Sequence, residues 1–207
     1  MLRRLMFIGI ILLAAQVGCS TGYTKMDGKW CYVVINESVG REVREMNADE
    51  STFEVLADPE YARDKNHAYR FGRVLEDIDG SSYHLLSDTR YAADRNGVYY
   101  KDHKIPGADP KTFEIIGHPY SRDQENVYCG NLEMNVAQPE NFKQTVGEPG
   151  TMEITSFYYS SEDLARNFGD SFKDAAVDND NPAVISPGRG TDGTWIYDGP
   201  KRTRRVK

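Results

Sequence analysis

The sequence predicts a mainly β protein, built of tandem β-hairpin or meander units of about thirty residues in an open stack, with one short helix near residues 161–176. Three observations lead there. An acidic residue is followed at its fifth position by Tyr in six places: Asp27/Tyr32, Asp64/Tyr69, Asp94/Tyr99, Asp123/Tyr128, the degenerate Glu153/Tyr158, and Asp192/Tyr197. The anchors are separated by 37, 30, 29, 30 and 39 residues. Nineteen residues after four of them stands an aromatic, Tyr83, Phe113, Phe142 or Phe172, and four residues before these lie Asp79, Asp109 and Gln138, with Asp49 before the equivalent Phe53.

Each unit is accounted for by turn and strand chemistry. Asp followed by Gly or by a Lys/Arg-Asn pair suits a tight turn, because a short carboxylate accepts from nearby backbone N–H groups and Gly or Asn tolerates positive φ. The residues one before the tyrosines (Cys31, Ala68, Val98, Val127, Phe157, Ile196) face opposite to them, which predicts one purely apolar face and one Tyr ladder. Leu75, Ile105, Met134 and Leu164 mark the return arm, and Phe53–Leu56, Tyr83–Leu86 and Phe113–Ile116 a third short strand.

At these residues the chain resembles the bacterial DKNYY family. Asp64-Lys65-Asn66-His67-Ala68-Tyr69-Arg70 and Asp94-Arg95-Asn96-Gly97-Val98-Tyr99-Tyr100 nearly spell its motif, and Gly107-Ala108-Asp109-Pro110-Lys111-Thr112-Phe113-Glu114 matches its downstream stretch. The resemblance covers residues 58–148 best. It implies repeated, envelope-associated modules without an established activity, and it supplies no catalytic residues.

In chain order, residues 1–18 are a targeting segment: Arg3-Arg4, an apolar run from Leu5 to Ala15, then Gln16-Val17-Gly18-Cys19. The ending resembles a bacterial lipobox, with Cys19 the lipidated first residue of the mature protein; an ordinary cleaved signal is the alternative. Ser20 resembles the outer-membrane sorting signal of Gram-negative lipoproteins. Residues 19–26 are expected as a tether and 27–200 as the repeat domain, with Glu37–Glu50 a charged surface excursion. Ser160 and Asp163 form a capping box for the helix, in which Leu164, Phe168 and Phe172 recur every four residues. Asp178–Gly193 reads as a loop. Residues 201–207 close the chain as a basic tail, solvated by default or touching anionic polymer or lipid. Cys31 and Cys129 are expected to be buried and unpaired.

Candidate chemistry is sparse. The chain is acidic, with a formal charge of −7, which argues against nucleic acid as a partner. Gly169-Asp170-Ser171 echoes a hydrolase nucleophile block but lies in a helical pattern. His67, His84, His103 and His118 occupy unrelated repeat positions, and Asp178-Asn179-Asp180-Asn181 lacks the Gly and Glu of a calcium loop. No cofactor and no metal are expected. The Tyr ladder admits two roles, packing between units or stacking of sugar and ammonium groups, as in the choline- and glucan-binding modules it distantly resembles.

The expected function is therefore that of a lipoprotein anchored in the bacterial cell envelope, at the outer membrane in a Gram-negative cell. It would be a non-catalytic binding or structural module that contacts the membrane through its lipid and takes a protein or glycan ligand. The alternative is an envelope hydrolase using dispersed Asp and His. Units of about thirty residues hold about three strands, too few for a propeller blade, so the strands at Trp30 and Trp195 are expected to stay unpaired with each other.

Overall fold

A row of small antiparallel sheets, each following the last along the chain, makes up the structure, a computed structural model that describes residues 21–38, 40–146, 156–178 and 180–206. The leader, Cys19 and the degenerate anchor Glu153 lie outside the described residues. The first sheet joins β1 (Gly22–Met26), β2 (Lys29–Asn36) and β3 (Gly40–Glu45). The second joins β4 (Glu54–Val55), β5 (Tyr61–Arg63), β6 (Ala68–Arg70) and β7 (Arg73–Leu75), and the third β8 (His84–Leu85), β9 (Tyr91–Asp94), β10 (Gly97–Tyr100) and β11 (His103–Lys104). The fourth is formed by β12 (Glu114–Gly117), β13 (Tyr120–Arg122), β14 (Val127–Cys129) and β15 (Leu132–Met134). The last begins with β16 (Lys143–Val146) and is interrupted by an excursion carrying β17 (Phe157–Tyr159), helix α1 (Ser161–Phe168) and β18 (Ala183–Ile185). It is completed by β19 (Arg189–Thr191), β20 (Trp195–Asp198) and β21 (Lys201–Arg205).

In the second, third and fourth units four strands, rather than three, fit into about thirty residues because each strand is only two to four residues long. The strand absent from the sequence reading is the one ending at or just before each anchor: β5, β9 and β13. The stack is nevertheless open: among the described residues β2, with Trp30, pairs only β1 and β3, while β20, with Trp195, pairs β19 and β21.

Burial follows the same nearest-neighbour logic. The anchor-plus-five tyrosine of a central unit packs toward the preceding unit, and the residues on either side of it pack toward the next. Tyr99 joins Tyr61, Ala68 and Tyr83, whereas Val98 and Tyr100 join Tyr91, Ile105 and Tyr128. Val98 and Tyr99 face opposite ways, as sequence alternation predicts, and both faces are covered; the two residues are 0% and 3% exposed. Such units cannot bury their surfaces singly, and stacking supplies what each lacks.

Several other expectations are corrected. Residues 22–26 are not a tether but β1, whose Tyr23 lies edge-on to Tyr32. The excursion at Glu37–Glu50 contains β3, fully paired along β2. The copy at Tyr158 is no unit: Tyr158 is 61% exposed and belongs to the excursion within the last sheet, and Leu164 sits buried on α1 rather than on a return arm. The helix starts as expected, Ser160 Oγ accepting from Asp163 N, but stops at Gly169 (φ 108°), and residues 170–172 form a single 3-10 turn. The expected loop 178–193 holds the wholly buried β18. The basic tail is a strand, β21.

β18 is where the excursion locks in. Val184 N donates to Asn131 Oδ1 at 2.6 Å, and Asn131 N donates to Val184 O at 3.3 Å. Gly130 makes the approach feasible: it takes φ +62°, and a Cβ there would stand 1.9 Å from Val184 O.

Candidate functional site

The predicted anchors resolve into a repeated clasp. Asp64 Oδ1 accepts from Asn66 N and His67 N, both at 2.7 Å, and its Oδ2 from Tyr69 OH and Asp49 N, again at 2.7 Å. Asp123 accepts from Glu125 N (2.9 Å), Asn126 N (2.8 Å), Tyr128 OH (2.8 Å) and Asp109 N (3.0 Å). Asp94 takes Asn96 N, Tyr99 OH and Asp79 N. Asp192 takes Thr194 N, Trp195 N and Tyr197 OH, with the Ala137 backbone as its upstream donor. The second recurrence in the sequence thereby gains its role: Asp49, Asp79 and Asp109 supply the N–H that ties the preceding loop to each anchor.

Burial raises the carboxyls of Asp64, Asp123 and Asp192, but the converging donors more than offset it and hold all three below the usual carboxylate range. The tyrosines move the other way. Burial and the adjacent carboxylate push Tyr69, Tyr99 and Tyr128 up, and Tyr197 to about 12. Each remains a neutral donor to an ionised acceptor, the stronger kind of hydrogen bond.

Two predicted site residues stand outside this scheme. Asp27 is exposed at φ 51° and simply turns the β1–β2 hairpin with Gly28; its Tyr32 packs toward the second sheet. Tyr158 is on the surface. A second tyrosine column was missed: Tyr61, Tyr91 and Tyr120, three residues before the anchors. Tyr91 OH reaches Pro119 O and Tyr120 OH reaches Gly199 O, both at 3.0 Å, bridging to the following unit. Its recurrence at anchor minus three was the signal that could have revealed it.

A different cluster forms where the third and fourth sheets meet the excursion. Lys101 Nζ donates to Ser156 Oγ at 2.6 Å; Ser156 and Ser186 hydroxyls lie 2.9 Å apart; Ser186 Oγ is 2.9 Å from Tyr100 OH, which is 2.6 Å from His118 Nε2. Burial, then Arg90, pushes His118 down to about 3, so its imidazole is neutral. Burial, then Arg90 and Arg70, lowers Lys101. Lys101 and Asp102 both take positive φ (48° and 71°), a cost of order 1 kcal/mol or more for each non-Gly residue. Nothing in the sequence spacing announced this line of hydroxyls, because it joins residues 86 positions apart.

The remaining candidates do not converge. Ser171 lies exposed on the 3-10 turn, His67 and His84 are exposed, and His103 is half-buried against Tyr158. Among the described residues no group of three His, Cys, Asp or Glu is placed to hold a metal ion. Cys31 and Cys129 are both free and buried. A cavity of ≈ 510 Å³ opens between β15 and residues 171–177, lined among others by the apolar Met134, Val136 and Phe172 and the acidic Glu125, Glu133 and Asp174.

The model of the DKNYY family matches the chain over residues 9–103 and again over 91–201. No curated protein matches it, and neither does any solved structure.

Proposed function

The chain belongs to the DKNYY family, and we propose that it is a lipid-anchored, non-catalytic scaffold and binding module of the bacterial cell envelope, held at the outer membrane in a Gram-negative cell. One observation carries the scaffold reading. The motif that defines the repeat is spent on construction, since the four clasp tyrosines are buried and their hydroxyls bound to anchor carboxylates. Those rings have no free face on which to stack a sugar. A protein or glycan ligand would instead use the cleft beside β15 or the outer edges of the row.

Anchoring rests on Cys19 following the apolar leader directly. Cys19→Ala should move the protein from the membrane fraction to the soluble fraction and abolish palmitate incorporation. A wild-type protein already soluble would end the anchoring part of the reading.

A hydrolase is the second reading, and it is favoured by one contact, Lys101 Nζ to Ser156 Oγ. A lysine with a lowered pKa could take the hydroxyl proton as Ser156 attacks an acyl carbon and return it to the leaving group. The anchor aspartates have no part in this, being committed to their clasps. A fluorophosphonate probe tests it: labelling of wild type, lost in Ser156→Ala and Lys101→Met, would displace the scaffold reading.

A further inference from the structure

We propose that β21 is a docking edge for anionic phospholipid bilayers. Lys201, Arg202, Arg204 and Arg205 place four cations within five exposed residues on the outer edge of the last sheet. Those residues contribute +4 to a chain whose formal charge is −7, so all the others together sum to −11. Among the described residues none of the four has a carboxylate within ion-pair distance. Asp198, the nearest acid in the sheet register, is engaged by Arg189 at 2.6 Å.

Two of the cations are also held in place. Arg202 and Arg205 carry their guanidinium groups 4.7 Å and 5.2 Å from the centroid of the Trp195 ring, and Thr203 Oγ1 bonds Ile196 O at 3.0 Å. Beside them Val206 is 45% exposed. A pair of positioned guanidinium groups, flanked by further cations, a half-buried indole and an exposed aliphatic chain, has the composition of a membrane interface, where aromatic rings sit at headgroup depth and each cation near the surface adds attraction.

The other occupant such an edge could take is an acidic extended peptide, added as a further strand. The register argues against it. Ile196 pairs Arg204 but Tyr197 pairs Arg202, so β21 bulges at Thr203, and a bulge bends the flat row of backbone donors that strand addition requires. The acidic remainder of the molecule would be repelled by the same bilayer, which fixes the approach as edge-first.

Flotation of the full chain with vesicles of phosphatidylcholine, with and without phosphatidylglycerol, tests the proposal. The leader is common to every variant, so any membrane affinity it brings is unchanged between them. Wild type should bind anionic vesicles in excess of neutral ones, and high salt should remove that excess. Replacing Lys201, Arg202, Arg204 and Arg205 together by Gln should lower anionic partitioning by roughly a hundred- to a thousandfold, from the attraction typical of each surface cation. Arg202→Lys/Arg204→Lys/Arg205→Lys, which keeps the charge, should retain binding, and in a Trp30→Phe background brominated lipid should quench Trp195. Equal partitioning into neutral and anionic vesicles would overturn the proposal. So would loss of binding in the triple Lys variant with a native circular dichroism spectrum, or retention of a poly-glutamate peptide by wild type without binding to anionic vesicles.

Discussion

Replacing Asp123 by Ala removes the acceptor for four donors at once: the N–H groups of Glu125, Asn126 and Asp109, and the hydroxyl of Tyr128. The three amides are only partly buried, so water can satisfy them in part, at about 1 kcal/mol each relative to a charged acceptor. Tyr128 is fully buried, and its stranded hydroxyl adds about 1–3 kcal/mol. The expected loss is therefore about 4–6 kcal/mol, a large share of the roughly 5–15 kcal/mol that holds an ordinary domain. Tyr128→Phe alone should cost only about 1 kcal/mol, because the carboxylate keeps its three amides. In the Asp123→Ala background the same change should be neutral or stabilising, since it deletes an orphaned hydroxyl; the coupling energy should then be about 1–2 kcal/mol. Urea unfolding followed by circular dichroism measures all four proteins, with an unchanged slope confirming that the transition itself is the same. Additive effects, or an Asp123→Ala loss below about 1 kcal/mol, would refute the clasp as a structural device and return the anchors to the list of candidate ligand groups.

Two further outcomes follow from the same geometry. Tyr99→Ala should cost about 2–4 kcal/mol, whereas Tyr158→Ala, at the same motif position but 61% exposed, should change stability by less than about 0.5 kcal/mol; thermal melts of the two variants check this. The pH dependence has a definite sign. Asp64, Asp123 and Asp192 are held below the ordinary carboxylate pKa when folded, so their contribution is present above that value and is lost as pH falls through their lowered folded values. Stability from these groups should be flat above about pH 5 and should fall below about pH 4, a decline that Asp→Asn changes at the three anchors would flatten in an acid titration.

How far the fold could be read from the sequence depended on what each stretch repeats. Asp94 to Tyr100 announces its own turn and strand because the turn chemistry and the buried tyrosine are both local, and the copies at Asp64 and Asp123 confirm the period. Alternation sets Val98 and Tyr99 on opposite faces, and both are buried because neighbouring units cover the strand from either side. Lys201-Arg202-Thr203-Arg204-Arg205 carries the composition of a solvated tail and pairs only because β20 offers it an edge. The Lys101–Ser156–Ser186–Tyr100 line was illegible for a different reason: its members come from the end of β10, the turn that follows it and a non-repeating excursion, brought together by tertiary packing alone.

The excursion within the last sheet sets the order in which the molecule can assemble. In the third unit, partners such as Tyr91 and Tyr100 are nine residues apart, and each anchor captures an N–H from chain already made, so the row can lengthen as the chain grows. Lys143 must wait for Thr191, 48 residues later, and closing that longer loop costs about 1.5 kcal/mol more in chain entropy. The final unit is thus expected to be the late step of folding, which pulsed hydrogen exchange would show as late protection of β16 and β19. Until Arg189 arrives, β16 stands as an open edge, and a chain stopped short of that residue would expose it permanently.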